Sequence, residues 1–113
     1  FLQTGGRGAF RLRLLLAGTL RPLYGVYSGY ALLEHEPVRP GSEEYLDSEK
    51  YQLRHRDFTQ PGNLDADMAR LNRMRRAEPA LQRQDNLTFH RSENPNILFY
   101  RRAGVRGSAD LLV

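Results

Sequence analysis

The stretch FRLRLLLAGTLRPLYGVYSGY, residues 10–30, joins a helical pattern to an extended one. Phe10 and Leu14 fall on one face of a helix, and further leucines widen that face, so we expect this helix to pack on more than one side. The proline that follows ends the helix because it cannot continue the hydrogen-bond ladder. The run 23–30 is rich in tyrosine and valine and is typical of a strand buried on both faces. A helix followed directly by such a strand predicts an α/β fold.

A long polar connection, residues 34–63, comes next. Its length of about thirty residues is far beyond the ~4–6 residues usual between elements, which indicates either disorder or a function. Apolar and aromatic residues recur through it, which disordered segments usually lack. We therefore expect an ordered loop lying over a site. The loop also contains Lys50, the one lysine among seventeen lysines and arginines.

Residues 64–81 predict a second helix, with Asp65 as its N-cap and a break at the Glu78–Pro79 step. Its buried stripe is expected to consist of Met68, Leu71 and Met74.

Alternating residues then predict strands at 86–91 and 96–102, and 109–113 predicts the start of a third strand. The sequence YALLE, residues 30–34, precedes the long connection and predicts a single helical turn. This order predicts the last strand-helix portion of a (β/α)8 TIM barrel over residues 1–84. Residues 85–113 are then the start of a C-terminal antiparallel β domain.

Composition excludes several classes of protein. There is no cysteine, so disulfides and thiolate chemistry are absent. The longest apolar run is far short of the ~20 residues of a membrane span and lacks a signal-peptide layout, which predicts a soluble, cytoplasmic protein. The chain begins at Phe1 instead of methionine and ends on an apolar tail, as expected for a piece of a longer protein.

Charged clusters leave alternatives to weigh. The net charge of +4 and the arginines at 70–76 suggest a small nucleic-acid-binding module, but apolar residues interleave with these arginines at helical spacing. The acidic residues at 43–49 suggest a metal or catalytic site, but ion pairs with the arginines at 39, 54 and 56 are the simpler interpretation. The histidines at 35, 55 and 90 lack ligand spacing. No metal or cofactor is predicted.

The motifs YGVYSGYALLEHEPVRPGSEEYLDSEKYQL, residues 24–53, and ARLNRMRRAEPALQ, residues 69–82, resemble one family. They are similar to the barrel-closing region of the bacterial maltose-1-phosphate maltosyltransferases of the α-amylase superfamily, and the likeness runs from Phe1 to about Tyr100. It implies an enzyme, homodimeric when complete, that needs no cofactor. That enzyme moves a maltosyl unit from α-maltose 1-phosphate to the non-reducing end of an α-1,4-glucan.

The resemblance also implies a mechanism and a binding site. The family retains configuration through a covalent intermediate, which requires two carboxyl groups about 5 Å apart. None of the family's three catalytic carboxylates matches a position here, so we expect the chain alone to be inactive. The family's lysine–tyrosine pair, matched by Lys50 and Tyr51, contacts the maltosyl part of the donor. An ammonium group and a phenol ring suit sugar hydroxyls and a sugar face.

The sequence allows two interpretations of the tyrosines and two of the function. Tyr24, Tyr27 and Tyr30 either line the sugar cleft or pack within the barrel. Another α-amylase-superfamily enzyme, such as a trehalose synthase or an amylase, is the nearer alternative function, although the EEYLDSEKYQ motif argues against it.

Overall fold

Two helices form the larger part of the fold. The computed structural model describes residues 1–46 and 53–113, in which α1 spans Leu2–Leu20 and α2 spans Asp65–Ala77. The backbone leaves helical geometry at Gly6, where φ is 55°. Both predicted helices are confirmed, and α1 begins earlier than the apolar pattern indicated.

Helix α1 is covered on part of its surface. Phe10 and Leu14 are buried in the core, whereas Leu12 and Leu15 are 48% and 40% exposed. Thr19 is also buried and lies on a different side of the helix from Leu14. The expectation of packing on more than one side is therefore met in part, since one face of α1 stays in contact with solvent.

The predicted buried strand after α1 does not form. Residues 23–27 have no regular secondary structure, Leu23 is 86% exposed, and Val26 is also exposed. A strand needs a neighbouring backbone for its hydrogen bonds, and no described strand pairs with this run. The short 3-10 helix Tyr30–Leu32 that follows confirms the predicted helical turn.

The described part of the long connection contains one strand-like pairing. Pro37 and Tyr45 form an isolated antiparallel bridge. The Leu46 amide donates to the Glu36 carbonyl at 2.7 Å, which closes this small hairpin. The backbone leading up to residue 46 therefore has a defined course.

Helix α2 begins differently from the prediction. Asp65 is its first helical residue, not its N-cap, and its amide donates to the Asn63 side-chain oxygen at 3.1 Å. Leu64 is the N-cap residue. Its side chain is fully buried and its amide donates to the Ala31 carbonyl, and these two contacts fix the position at which the helix begins. The predicted stripe is confirmed: the buried core consists of Phe10, Leu14, Tyr30, Leu64 and Leu71, with Met68 and Met74 packed against it.

A second 3-10 helix, Pro79–Gln82, leads into a small sheet. The strands β1 (Leu87–His90), β2 (Phe99–Arg102) and β3 (Leu111–Leu112) form an antiparallel sheet in the order β1-β2-β3. The three strands predicted for the C-terminal part of the chain are confirmed. The described residues thus form a small α/β unit of two helices and a three-stranded antiparallel sheet.

Candidate functional site

An aromatic cleft of about 700 Å³ lies between α1 and the long connection. The Tyr27 ring is central: its centroid is 5.7 Å from that of Tyr30 and 5.4 Å from that of Tyr45. The structure thus brings together all three tyrosines that the sequence offered as cleft residues. It adds Tyr45, which the sequence showed only as one of several aromatic residues in the connection. The charged lining comes from Arg13, Arg21 and Glu43.

These tyrosines differ in what they can offer a ligand. Tyr30 is 5% exposed and donates its hydroxyl to the Phe10 carbonyl at 2.6 Å, so it is a core residue. Tyr24 donates to Asn72 at 2.6 Å, and the Arg75 guanidinium lies 4.7 Å above its ring. Tyr27 is 36% exposed and is the one of the three that presents a ring at the cleft rim.

The Tyr27 hydroxyl is held as a neutral donor. Burial raises the pKa of Tyr27 well above its ordinary value, and the nearby Tyr45 and the Glu34 carboxylate raise it further. The hydroxyl donates to the Glu34 backbone carbonyl. It is therefore suited to hydrogen bonding and not to service as a base.

Glu34 is the charged centre next to this cleft. Its carboxylate accepts hydrogen bonds from Arg56, from Nε at 3.0 Å and from Nη2 at 3.2 Å. Arg54 adds an ion pair at 3.4 Å. The Arg56 side chain is only 5% exposed. Sequence reasoning expected the acidic residues at 43–49 as partners of these arginines and did not single out Glu34.

The predicted donor-binding residues, Lys50 and Tyr51, lie outside the described residues. The described chain on either side is held in place: Leu46 bonds to Glu36, and both Arg54 and Arg56 pair with Glu34. The assignment of Lys50 and Tyr51 to sugar binding stays a prediction.

One arginine of the cluster on α2 has a structural use. Arg75 donates to the carbonyls of Gly18 and Arg21, the latter at 3.1 Å, and to the Pro22 carbonyl at 2.6 Å. It therefore closes the C-terminal end of α1. The other three arginines of the cluster are exposed.

The described chain has neither a cluster of metal-binding side chains nor a membrane-spanning helix. In residues 1–46 and 53–113, no three histidine, aspartate or glutamate side chains come together as a metal site. The same part of the chain has no helix whose length and apolar character would let it cross a bilayer.

The chain is similar in sequence, over nearly its entire length, to several bacterial proteins. It is 50% identical over 99% of its length to the alpha-1,4-glucan:maltose-1-phosphate maltosyltransferase of Corynebacterium glutamicum. The proteins of the same name from Myxococcus xanthus and Mycolicibacterium smegmatis are 50% and 49% identical over 100% and 99% of the chain. The chain belongs to this maltosyltransferase family.

Membership of the maltosyltransferase family confirms the resemblance drawn from the motifs. The likeness to amylases or trehalose synthases, which was the nearer alternative, is not favoured by these relatives. The chain spans 17% of the length of each of the three relatives. No protein-family model matches it.

Proposed function

We propose that this chain is part of an enzyme that transfers a maltosyl unit from α-maltose 1-phosphate to the non-reducing end of an α-1,4-glucan. The observation that carries the proposal is about 50% identity, across the length of the chain, to relatives named for this reaction. Identity at this level over a whole chain implies the same fold and supports the same role for matched residues. The complete enzyme is a cytoplasmic homodimer in this proposal.

Within that enzyme, residues 1–84 form the last strand-helix portion of a (β/α)8 barrel, and residues 85–113 begin a C-terminal β domain. The run 23–27 supports this arrangement because it is extended in composition yet unpaired and exposed. Neighbouring barrel strands would supply the hydrogen bonds and the apolar cover that this run lacks.

The proposed reaction retains configuration. Such a reaction uses one carboxylate as nucleophile and a second carboxyl group, about 5 Å away, as acid and base. The resemblance to the family implies three catalytic carboxylates, and none of them matches a position of this sequence. We therefore assign the catalytic carboxylates to polypeptide outside this chain and expect the chain alone to be inactive.

The contribution of this chain is donor binding through Lys50 and Tyr51. An ammonium group has three hydrogen-bond donors that can reach converging hydroxyls, and a phenol ring covers an apolar sugar face. Arginine is a poor substitute because its planar fork suits carboxylates and phosphates. The aromatic cleft at Tyr27 and Tyr45 lies next to the described end of the same connection.

The test is steady-state kinetics of the complete protein with α-maltose 1-phosphate and glycogen. Replacing both Lys50 and Tyr51 by alanine should raise the donor KM by about tenfold to a hundredfold, because each change removes about 0.5–1.5 kcal/mol of net hydrogen bonding or contact. Lys50→Arg is the matched control for charge and should restore only part of the affinity.

Two results would count against this proposal in different ways. An unmodified complete protein that does not use α-maltose 1-phosphate would contradict the function. An unchanged donor KM in the double variant would contradict the site alone.

A further inference from the structure

A second cavity continues the aromatic cleft past Tyr45, and its volume of about 600 Å³ is usual for a ligand pocket. This Tyr45 cavity lies at the start of α1. Among its described lining residues, none belongs to the run 23–27, so the barrel strands proposed to cover that run would meet the other end of the cleft. The lining of the Tyr45 cavity includes Phe1, Gln3, Arg13, Ser42, Glu43 and Tyr45.

A short hairpin holds Glu43 and Tyr45 against the start of α1. Tyr45 forms its backbone bridge with Pro37 across the hairpin. The Gln3 side-chain amide donates to the Ser42 carbonyl at 2.9 Å, a bond between residues 39 positions apart. The hairpin is thus tied to α1. A ligand that binds beside it finds these side chains already placed, which lowers the entropy cost of binding.

Three polar groups of the Tyr45 cavity are left for a ligand. Within residues 1–46 and 53–113, the Arg13 guanidinium, the Glu43 carboxylate and the Tyr45 hydroxyl have no hydrogen-bond or ion-pair partner. Arg13 instead lies over the Phe1 ring, 4.7 Å from its centroid. Both Arg13 and Glu43 are exposed. The cavity therefore presents N–H donors, carboxylate acceptors and aromatic ring faces to a ligand that enters it.

This combination of groups favours a neutral sugar chain. A sugar hydroxyl both donates and accepts hydrogen bonds, so it can bind a guanidinium and a carboxylate at the same time. The apolar face of a sugar ring can pack on an aromatic ring. The charges of Arg13 and Glu43 offset each other, so the cavity gives an anionic ligand such as a sugar phosphate no net attraction. Of the two proposed substrates, the glucan is the one without a charge.

We propose that the Tyr45 cavity binds a glucose unit of the α-1,4-glucan acceptor. Arg13 and Glu43 hydrogen-bond its hydroxyls, and the Tyr45 ring packs against its apolar face. This inference rests on the proposed function, but every residue that it uses lies in the described part of the chain.

The first test compares Glu43→Ala with Glu36→Ala in the complete protein. Both residues are exposed and belong to the same hairpin, but Glu36 does not line the Tyr45 cavity. Because the proposed reaction passes through a covalent intermediate, kcat/KM for glycogen and kcat/KM for α-maltose 1-phosphate report separate half-reactions. Glu43→Ala should lower kcat/KM for glycogen by about tenfold and leave that for the donor within about twofold. Glu36→Ala should change neither value by more than about twofold.

The second test concerns the ring of Tyr45. Tyr45→Phe keeps the ring and loses only the hydroxyl, so kcat/KM for glycogen should stay within about threefold of that of the unmodified protein. Tyr45→Leu loses the ring and should lower this value by about tenfold, again with little change for the donor. The conservative variant thus distinguishes the sugar contact from support of the hairpin by a large apolar side chain.

A third comparison uses two arginines of α1. Arg13 and Arg11 are both exposed, but only Arg13 lines the Tyr45 cavity. Arg13→Ala should lower kcat/KM for glycogen by about tenfold, whereas Arg11→Ala should leave it within about twofold.

Three results would overturn the inference. Unchanged kcat/KM for glycogen in Glu43→Ala and Tyr45→Leu would show that the glucan does not bind in the cavity. An equal loss for both substrates would show that the cavity packs against further polypeptide, and a loss for the donor alone would make it a donor site. In each case normal transfer by the unmodified protein leaves the proposed function intact, whereas an unmodified protein without this activity contradicts that function.

Discussion

At the scale of the residue, Gly18 marks the close approach of the two helices. A Cβ at this position would lie 2.5 Å from Cδ2 and 3.0 Å from Cγ of Leu71, which is itself buried. Gly8 lies in the same helix, and a Cβ there would meet no atom within 4 Å. Helix propensity favours alanine at both positions, so only the contact with Leu71 distinguishes them.

Gly18→Ala should lower the free energy of unfolding by up to about 2 kcal/mol, because overpacking costs ~1–3 kcal/mol and the gain in helix propensity is ~1 kcal/mol. Gly8→Ala should leave stability unchanged or raise it by up to about 1 kcal/mol. Thermal unfolding of the complete protein measures both. Shifts of the same sign and size would show that Leu71 does not limit the approach of the helices.

At the scale of the element, Arg102 joins β2 to the helical part of the chain. Its side chain is fully buried, and it donates to the carbonyls of Leu20 at 2.8 Å, Ala80 at 3.3 Å and Arg83. Burial lowers the pKa of Arg102 from its ordinary value. The Leu20 carbonyl ends α1 and has no partner within the helix, so a cation there is favourable. A bond of 2.6 Å between the Thr19 and Tyr100 hydroxyls reinforces this junction.

Arg102→Met should destabilise the junction by at least about 2 kcal/mol, because the Leu20 and Arg83 carbonyls lose this donor at ~1–3 kcal/mol each, whereas the Ala80 carbonyl keeps its bond from Asn86. Arg101→Met is the matched control. Arg101 is on the same strand but pairs with Asp110 at 2.7 Å where both side chains are 43% exposed, so its loss should amount to less than about 1 kcal/mol.

Amide hydrogen exchange of β2 in the complete protein is the measurement for this pair. Exchange in residues 99–102 should accelerate strongly in Arg102→Met and little in Arg101→Met. Equal protection in the two variants would mean that the guanidinium is not what holds the sheet to the helices.

At the scale of the whole molecule, the chain is more extended than a self-contained domain of its length. Its radius of gyration is 16.5 Å, against about 13 Å expected for 113 residues. Its accessible surface is 8307 Å², against about 6,300 Å² expected for 13.0 kDa. Large apolar side chains are exposed on several elements, among them Leu12, Leu23, Phe58, Phe89 and Ile97. These features suit a segment that packs against further polypeptide.

The chain expressed alone should therefore bind the dye ANS, associate with rising concentration and unfold without a sharp transition. The complete protein should show none of the three. Light scattering, ANS fluorescence and a thermal scan on both samples provide the comparison. A monomeric chain with cooperative unfolding would contradict its assignment as a segment of a larger barrel.

Local sequence patterns were sufficient for the two helices and for the three strands of the sheet. The spacing of apolar residues around Leu14 predicted the buried stripe of α1, and the spacing around Leu71 predicted that of α2. The alternation of apolar and polar residues predicted the three strands of the sheet. These elements follow from the spacing of apolar residues that are a few positions apart, so they can be predicted without knowledge of the tertiary structure. The strand predicted at 23–30 does not form. A strand needs a paired backbone for its hydrogen bonds, and in the described chain no strand pairs with this run.

The motifs of the chain also determined its family, because they are specific combinations of residues and need no coordinates. Lys50 and Tyr51 are assigned by that route alone. Only the tertiary structure decided that Glu34 pairs with Arg56, that Tyr30 belongs to the core and that Gly18 approaches Leu71. Each of these contacts joins residues that are separated in sequence by a turn, a helix or a long connection. The sequence offers many residues of the same chemical type as partners, and the path of the backbone decides which of them come into contact.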